Sequence, residues 1–498
     1  MTAQRSVGAG PRCLGAPLFF AVALLASRPA LAWDPATTHS GLTERALAVS
    51  RFHAVLAQQL ERALGSYEPL RVDDSVLDRD AARSLRARLD RLDPAGGYRP
   101  GSDGVAMAFA WVRAGAVLAK TPPERGRHHF LEPRRRAGLD DDAGLAGAAH
   151  AIRLTFAGGA TVRENATGVA FTLEGMPALA WMRSPHNDLG LPAFFDHWQR
   201  AVAAERPAER DTALVRALLA MGGTLAVLED MGQPAFVRND FRGEFLAHDD
   251  GSPFERFVAD RYGAVALPAS VPPVARPDVD SFFVAADGLG LAQRTQARFF
   301  SAGTVPREMR YVPGEKPGEL VRLANQTLPF PAPQVSSIEP EQTGRTHYVR
   351  QDGLRVLAYR RDGNRVRFFL DEAVYADCAG RWLPVVAGYA AGLIDHLLRG
   401  QVAIRVAEKQ ATVTVGGALG RLQTGAEVHV LAEDIAGRRQ EIARAPVQMD
   451  VPLVFAVPPG ARKVAAYARG RDMGGTFVAV GQSTVARDDR GSGEAQAR

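Results

Sequence analysis

The chain has 498 residues, with 60 basic and 55 acidic residues that give a net charge of +5 at pH 7. Its length allows two or three domains around a large core, while the near balance of charge gives little support to nucleic-acid binding. The sequence has 2 cysteines. Cys13 lies in an N-terminal segment that is expected to be removed, so Cys378 has no partner within the chain and a disulfide scaffold is excluded. We expect Cys378 to be a small buried apolar residue.

The N-terminal segment has the pattern of a secretion signal. Arg5 and Arg12 precede and flank an apolar run over residues 14–26, and Ala30 and Ala32 form an A-x-A cleavage site. We therefore expect a signal peptide over 1–32, a mature chain that begins at Trp33, and a periplasmic or extracellular location. The mature chain would carry a net charge of about +2, since the segment contains three arginines and no acid.

The part of the chain before residue 257 is predicted to be mostly helical. Apolar periodicity, capping residues and breakers indicate where its helices begin and end. No segment after the signal is expected to span a membrane. The predicted helices cover 38–49, capped by Thr38, the amphipathic stretch 80–93, the apolar stretch 105–118, and two helices within 181–230.

One of these helices is strongly apolar and is expected to be central to the core. It extends from Asp211, a natural cap, to Gly232, and Pro234 prevents its continuation. Asp230 lies at its C-terminal end, where a carboxylate is unfavourable unless a cation or hydrogen-bond donors meet it. Each glycine of the pair 222–223 costs roughly 1 kcal/mol relative to alanine, which predicts the close approach of another backbone or a ligand.

The C-terminal half contains two regions whose sequence patterns differ from that of the helical part. An irregular, proline-rich insertion over about 264–370 is expected to contain short helices within 281–300 and a hairpin over 348–370, with Asp-Gly turns. A helix over 382–398 follows. From 401 to 486, alternating apolar residues predict an immunoglobulin-like β-sandwich, followed by a disordered tail over 487–498.

Three motifs resemble the superfamily of zinc-dependent phospholipases C and fungal single-strand nucleases. The family's core helix reads approximately G-x-x-x-H-x-x-x-D-x-x-x-P-x-H. In the same frame this chain has Gly222, Ala226, Asp230, Pro234 and Phe236, so that the glycine, aspartate and proline match and both histidines are replaced. The resemblance covers residues 33 to about 255. It implies a mainly α fold, with a phospholipase C/nuclease-like helical domain over 33–400.

The family resemblance also implies a cluster of three zinc ions that activates water against a phosphodiester. Its most distinctive ligand is the mature N-terminus, here Trp33, with His39 in a T-H-S pattern after it. In the segment that resembles G-A-x-x-E-D-x-x-x-x-R-x-x-H-F-x-x-P, His129 occupies a ligand position, but Lys120 stands where the family has an aspartate. An ammonium cannot coordinate a cation while it is charged.

The last motif resembles H-S-x-F-E-x-Y/F and occupies 251–257. Glu255 matches, whereas the histidine is replaced by Gly251. The candidate metal ligands are therefore Trp33, His39, His129, Asp230 and Glu255. The replaced positions are Lys120, Ala226, Phe236 and Gly251.

Three interpretations of this pattern are open. In one, a single zinc ion remains on Trp33, His39 and Asp230, supported by His129 or Glu255. In another, the site holds no metal, and Lys120 supplies the positive charge and pairs with Asp230 or Glu255. In the last, a different metal site is rebuilt with one of three other histidines, each of which also has an ordinary structural explanation: His128, His186 and His248.

These patterns predict an exported protein with an eroded trinuclear zinc site, either catalytically impaired or a non-catalytic binding protein. The alternative is a mononuclear-zinc phosphodiester hydrolase that acts on phospholipid or nucleic acid, with Asp230 or Glu255 orienting the nucleophile. At most one or two zinc ions are expected. The basic run 134–136 is expected to be a solvated loop, or else to attract a phosphate or an anionic headgroup.

Overall fold

The computed structural model describes residues 35–93, 97–121, 123–139, 162–164, 170–172, 175–240, 252–265, 271–305, 308–310 and 346–485. The predicted signal peptide, Trp33, His248, Gly251 and the predicted tail lie outside the described residues. The fold is mainly α, with a C-terminal β-sandwich, as predicted.

The helical part is built around one long helix and the helices that pack on it. Short 3-10 turns occur between them, including one at Pro123–His129. The helices are α1 (Ser40–Val49), α2 (Phe52–Gln59), α3 (Arg79–Leu89), α4 (Ala108–Leu118), α5 (Ala178–Arg183), α6 (Leu191–Ala203), α7 (Pro207–Asp230), α8 (Pro234–Val237), α9 (Pro253–Arg261), α10 (Val279–Phe283), α11 (Leu291–Arg298) and α12 (Glu372–Leu397).

Helix α7 is the predicted core helix and is buried over most of its length. It begins at Pro207, four residues before the predicted cap Asp211, because Pro207 suits the first helical turn and the Glu209 carboxylate accepts a hydrogen bond from the Arg206 backbone at 3.2 Å. It ends at Asp230, two residues before the predicted end at Gly232, and Pro234 begins the short helix α8.

The paired glycines of α7 confirm the predicted close approach of other backbones. A Cβ atom on Gly222 would lie 1.9 Å from the Val112 carbonyl oxygen in α4. A Cβ atom on Gly223 would lie 2.6 Å from the Leu189 carbonyl oxygen. Helix α4 and the chain before α6 therefore contact α7 directly, and the cost of two glycines in a helix is offset by this packing.

Several predicted boundaries were wrong. Val105–Met107 is a strand (β2) that pairs antiparallel with Pro69–Arg71 (β1), so α4 begins at Ala108. Helix α1 begins at Ser40, and within the described residues no hydrogen bond engages the Thr38 hydroxyl that was predicted to cap it. The segment 181–230 contains parts of three helices rather than two.

The final helix, α12, begins ten residues before the predicted start at Trp382. Its N-terminus is capped by the Asp371 side chain, which accepts a hydrogen bond from the Val374 backbone at 3.0 Å. Pro384 lies inside the helix. Cys378 lies in this helix, buried as predicted, and burial raises the pKa of its thiol.

The predicted hairpin is confirmed and is part of a four-stranded sheet with the order β5-β8-β7-β6. Its turns place Asp352 at φ 50°, Gly353 at φ 80° and Gly363 at φ 59°, which explains the Asp-Gly pattern. The strands are β5 (Met309–Arg310), β6 (Thr346–Gln351), β7 (Leu354–Asp362) and β8 (Arg365–Phe369). Two further short strands, β3 (Val162–Glu164) and β4 (Ala170–Thr172), pair with each other.

The C-terminal strands form a seven-stranded series with the order β12-β11-β14-β15-β9-β10-β13. All its neighbours are antiparallel except β15 and β9. The strands are β9 (Gln401–Ala407), β10 (Gln410–Gly416), β11 (Glu427–Glu433), β12 (Arg439–Pro446), β13 (Leu453–Ala456), β14 (Lys463–Asp472) and β15 (Gly475–Thr484).

One face of the β-sandwich continues the helical core. Leu431, Ala465, Val478 and Val480 belong to the same apolar cluster as the helices, while the inner residues of the sandwich form a second cluster. Arg439 also donates a hydrogen bond to the Val202 carbonyl oxygen of α6 at 2.8 Å. The sandwich is therefore packed against the helical part through both apolar and polar contacts.

Candidate functional site: a buried charged centre at Asp230

Asp230 lies at the C-terminal end of α7, and three nitrogen atoms surround its carboxylate. The Lys120 Nζ atom is 2.9 Å from Oδ1, and the His129 Nδ1 atom is 2.6 Å from Oδ2. The His39 Nε2 atom is 3.2 Å from Oδ1. Because the helix dipole disfavours an anion at this position, these groups provide the positive charge and donors that the sequence predicted.

Lys120 is held above an aromatic ring that occupies a replaced ligand position. Its Nζ atom is 4.8 Å from the centroid of the Phe236 ring. That ring stacks on Phe130 at 4.2 Å between centroids. The ring therefore covers the ammonium with an apolar, electron-rich face.

Ala226 lies on α7 and is buried; it is the other position where the sequence resemblance predicts a replaced ligand. It packs with Ala116 and Ala119 of the α4 region in a small cluster. A larger imidazole would have to displace the two alanines. The packing of α4 on α7 is thus matched to alanine at this position.

Glu229 is a second buried carboxylate that sequence reasoning missed. Its Oε2 atom is 2.6 Å from His39 Nδ1, and its Oε1 atom accepts a hydrogen bond from the Thr43 hydroxyl at 2.9 Å. His39 and Thr43 are four residues apart and meet Glu229 from α1 and the turn before it. The available signal was the acidic pair 229–230 at the end of an apolar helix, because both buried carboxylates need partners.

Burial and neighbouring charges shift the pKa values of these groups in different directions. Burial raises the pKa of Glu229. Burial would also raise the pKa of Asp230, but the charges of Lys120 and His39 hold it well below its usual range. Burial alone would lower the pKa of His39, yet the negative charge of Asp230 raises it overall. For His129, burial dominates and lowers the pKa to about 4.

These shifts assign a proton arrangement to the centre near neutral pH. His129 is neutral, so its Nδ1 carries the proton that it donates to Asp230, and its Nε2 is left with a lone pair. Within the described part of the chain, no hydrogen bond engages the Nε2 atom of His129, whereas the His39 Nε2 atom lies 3.2 Å from Asp230 Oδ1. Both histidines direct Nδ1 to a carboxylate, as metal-binding histidines do, and of the two it is His129 that leaves Nε2 without a hydrogen-bond partner among these residues.

The donor set was tested against the zinc ion that the family resemblance implies. Among the described residues, no group of three or more His, Cys, Asp or Glu side chains is arranged to hold a metal ion. The Lys120 ammonium lies against Asp230 Oδ1, where it has no lone pair to offer and repels a cation. The described residues therefore do not fit a zinc ion at Asp230.

Glu255, the other predicted catalytic residue, caps helix α9. Its carboxylate accepts a hydrogen bond from the Ser252 backbone, and its own backbone donates to the Ser252 hydroxyl at 3.3 Å. This reciprocal capping box is a structural reason for the S-x-x-E pattern of residues 252–255. Asp230, in contrast, lies at the middle of the charged centre.

The additional histidines have other surroundings. His128 stacks on Trp181 at 4.3 Å between ring centroids and accepts a hydrogen bond from the Met176 backbone at 2.9 Å. His186 is exposed in a turn, as predicted. The arginine side chains of the run 134–136 are exposed, also as predicted.

Comparisons with known proteins give distant structural similarity alone. No family model matches the chain, and no curated protein matches it. The alpha toxin from Clostridium absonum overlaps at a TM-score of 0.29 with 9% identity, over 91% of this chain and 99% of the toxin. The Clostridium perfringens alpha-toxin from avian strain SWCP overlaps at 0.27 with 10% identity, over the same shares. Overlap at this level assigns neither an activity nor a ligand to this chain.

The core helix also has the length and hydropathy of a membrane-crossing segment. Among the described helices, Pro207–Asp230 alone passes that test, with 89% of its apolar window buried inside the protein. The core helix of a globular protein meets the same criteria, so this property does not establish a membrane span.

Proposed function

We propose that this chain is an exported protein with a phospholipase C-like helical domain, in which an ion pair replaces the metal centre and whose role is binding rather than hydrolysis. The observation that carries the proposal is the contact of 2.9 Å between Lys120 Nζ and Asp230 Oδ1. Export is supported by the signal pattern of residues 1–32.

The charges of the centre support a structural role. A buried carboxylate is stable only when a cation or several donors accompany it, and Lys120, His39 and His129 provide both. Water activation against a phosphodiester requires a metal ion or a base that faces the substrate. Asp230 has three nitrogen neighbours instead, and its low pKa makes it a weak base.

The burial of the centre supports the same proposal. The side chains of His39, His129, Glu229 and Asp230 are 0% exposed, and that of Lys120 is 1% exposed. A phosphodiester substrate has to reach the group that attacks it, and these side chains have no contact with solvent. The apolar residues Ala226 and Phe236 contribute to this closure.

Metal content and hydrolysis of the processed chain test the proposal. Protein secreted so that Trp33 is the true N-terminus is incubated with zinc, dialysed, and measured by elemental mass spectrometry and with a chromogenic phosphodiester. We expect a zinc content far below one ion per chain and no hydrolysis of the chromogenic phosphodiester. One zinc ion per chain together with zinc-dependent turnover would contradict the proposal.

A second candidate function, a metal-dependent phosphodiester hydrolase acting on phospholipid, is favoured by one observation. The Nε2 atom of His129 is buried without a hydrogen-bond partner in the described structure, while its Nδ1 atom faces Asp230 at 2.6 Å. The substitution Lys120→Asp separates the candidates, because it removes the ammonium and adds a carboxylate. If the wild-type chain binds no zinc and the variant binds one ion, the loss of metal is due to Lys120.

A further inference from the structure

We propose that a cavity between the helical part and the β-sandwich binds a small amphiphilic anion, with one phosphate-like or sulfonate-like group on an apolar body. The cavity has a volume of about 770 Å³, which lies within the range of roughly 300–1,000 Å³ of small-molecule sites. It is formed by the turn 132–137, the first turn of α6, helix α10 and the hairpin of β14 and β15. It shares no lining residue with the charged centre at Asp230.

The lining of the cavity has an excess of positive charge. Four arginines and two aspartates line it, a formal excess of two: Arg136, Arg183, Arg469, Arg471, Asp278 and Asp280. Such an excess in a concave surface attracts an anion, and a guanidinium offers paired donors to a phosphate or sulfonate group.

Two of the arginines already have acidic partners. Arg183 donates from Nη1 to Asp280 Oδ2 at 3.1 Å, and Arg469 donates from Nη1 to Asp196 Oδ1 at 2.6 Å. Asp278 caps helix α10 by accepting the Ser281 backbone N–H at 2.9 Å. With Asp196 counted, four arginines face three aspartates, which leaves an excess of one positive charge, carried by the remaining two arginines.

Arg136 and Arg471 supply that excess from opposite sides of the interface. Both are exposed, and in the described part of the chain no hydrogen bond or ion pair engages either guanidinium. Arg136 belongs to the helical part, and Arg471 to strand β14. An anion between them would therefore receive donors from both domains.

The turn that carries Arg136 is rigidly built. The buried Glu132 carboxylate accepts hydrogen bonds from the Arg135 backbone at 2.9 Å and from Gln296 Nε2 at 2.7 Å. The Glu132 backbone N–H donates to the Ala137 carbonyl oxygen at 2.8 Å. Arg136 itself has φ 53°, a left-handed conformation that a non-glycine residue adopts at a cost. This turn fixes the position of Arg136 before any ligand binds.

The cavity also has an apolar wall, which determines the second part of the ligand. Leu191, Phe195, Val279 and Val284 line it from the helical part. Met473, also a lining residue, is 75% exposed at the tip of the β14–β15 hairpin. The four residues of the helical part are 3–7% exposed, so an apolar body would gain most of its buried area against Met473, whereas an inorganic anion would leave Met473 in contact with water.

The test uses 1-anilinonaphthalene-8-sulfonate, an anionic fluorescent probe with a sulfonate group and an apolar body. We expect the wild-type chain to bind one probe molecule, and Arg136→Gln and Arg471→Gln each to weaken binding about tenfold, because each removes a charge-assisted contact. Arg134→Gln is the matched control, since Arg134 is exposed on the same turn but does not line the cavity. Unchanged melting temperatures establish that the variants are folded.

Competition then tests the two parts of the ligand. Hexyl phosphate should displace the probe at least tenfold better than inorganic phosphate, because it alone covers the apolar wall. Equal displacement by the two anions would overturn the amphiphilic assignment. No saturable binding of the probe, or an equal loss in Arg134→Gln and Arg136→Gln, would overturn the site itself. None of these outcomes depends on the metal content or activity of the Asp230 centre, so the proposed function is tested separately.

Discussion

Two buried charged groups of this protein are built in different ways. At the domain interface, Arg399 donates from Nε and Nη2 to the two oxygens of Asp472, at 3.0 and 2.8 Å. The remaining donors and acceptors are engaged as well: Arg399 donates to the His396 and Thr476 carbonyl oxygens, and Asp472 accepts from the Leu419 and Gly474 backbones.

The Asp230 centre has shorter contacts but a less complete hydrogen-bond network. Asp230 has nitrogen neighbours on both oxygens, yet the Nε2 atom of His129 is buried without a hydrogen-bond partner among the described residues. A planar guanidinium and a carboxylate can satisfy each other fully, whereas an ammonium and two imidazoles around one carboxylate cannot. The comparison shows that both Asp472 oxygens accept from a side chain and a backbone, whereas the Asp230 centre keeps a buried imidazole nitrogen without a hydrogen-bond partner among the described residues.

The largest expected effect comes from breaking the centre at its cation. Lys120→Met should lower the free energy of unfolding by about 3–5 kcal/mol, because it leaves the buried Asp230 carboxylate without its ammonium partner. Urea denaturation at pH 7 measures the change.

The matched control for this substitution is Lys463→Met. Lys463 pairs with Glu61 at 2.8 Å, but both side chains are partly exposed, so we expect a loss of less than about 1 kcal/mol. The double variant Lys120→Met with Asp230→Asn should lose less stability than the sum of the two single changes. An unchanged melting temperature in Lys120→Met would refute the pairing as a stabilising contact.

Much of the Asp230 centre could be predicted because its groups lie in recognisable local patterns. A carboxylate at the C-terminal end of an apolar helix requires a cation, and Lys120 occupies a motif position that the resemblance aligns with it. Glu229 could not be assigned from the sequence, because its role depends on contacts with residues far away along the chain. Its partners, His39 and Thr43, lie 190 and 186 residues away.

The interface pair could not be predicted, for a related reason. Arg399 and Asp472 are 73 residues apart, and each lies in a short polar interval between apolar elements with no motif to connect them. The misplaced start of α4 has a local cause instead: Val105–Met107 is apolar enough for a helix, and only its pairing with Pro69–Arg71 makes it a strand. Tertiary contacts decide such cases.

The next effect concerns buried histidines, which the two regions share, under acid conditions. The pKa of His129 in the centre and that of His396 at the interface are both lowered to about 4, chiefly by burial. The unfolded chain takes up these protons near pH 6.5, and the folded chain resists them until about pH 4. Stability is therefore lost as the pH falls between these values, by at most about 1.4 kcal/mol per pH unit for each histidine.

The pKa of His39 is raised, although burial alone would lower it, so its contribution has the opposite sign. Stability from His39 is fully present below pH 6.5 and is lost as the pH rises through its folded pKa. We expect His129→Gln and His396→Gln each to flatten the loss of stability between pH 6.5 and pH 4. The measurement is urea denaturation at half-unit intervals of pH. A slope in His129→Gln equal to that of the wild type would contradict the assignment of a neutral imidazole in the centre.

The smallest expected effect tests whether the full set of Arg399 hydrogen bonds at the interface contributes to the free energy of unfolding. Arg399→Lys retains the charge beside Asp472 but cannot reproduce the two parallel contacts and the carbonyl contacts, so we expect a loss of about 1–2 kcal/mol in the free energy of unfolding. The matched control is Arg469→Lys, because Arg469 pairs with Asp196 where the side chains are 45% and 49% exposed, and its loss should stay below about 0.5 kcal/mol. Equal losses in the two variants would mean that charge alone stabilises the interface. The difference between the two buried regions would then lie in their burial rather than in the geometry of their hydrogen bonds.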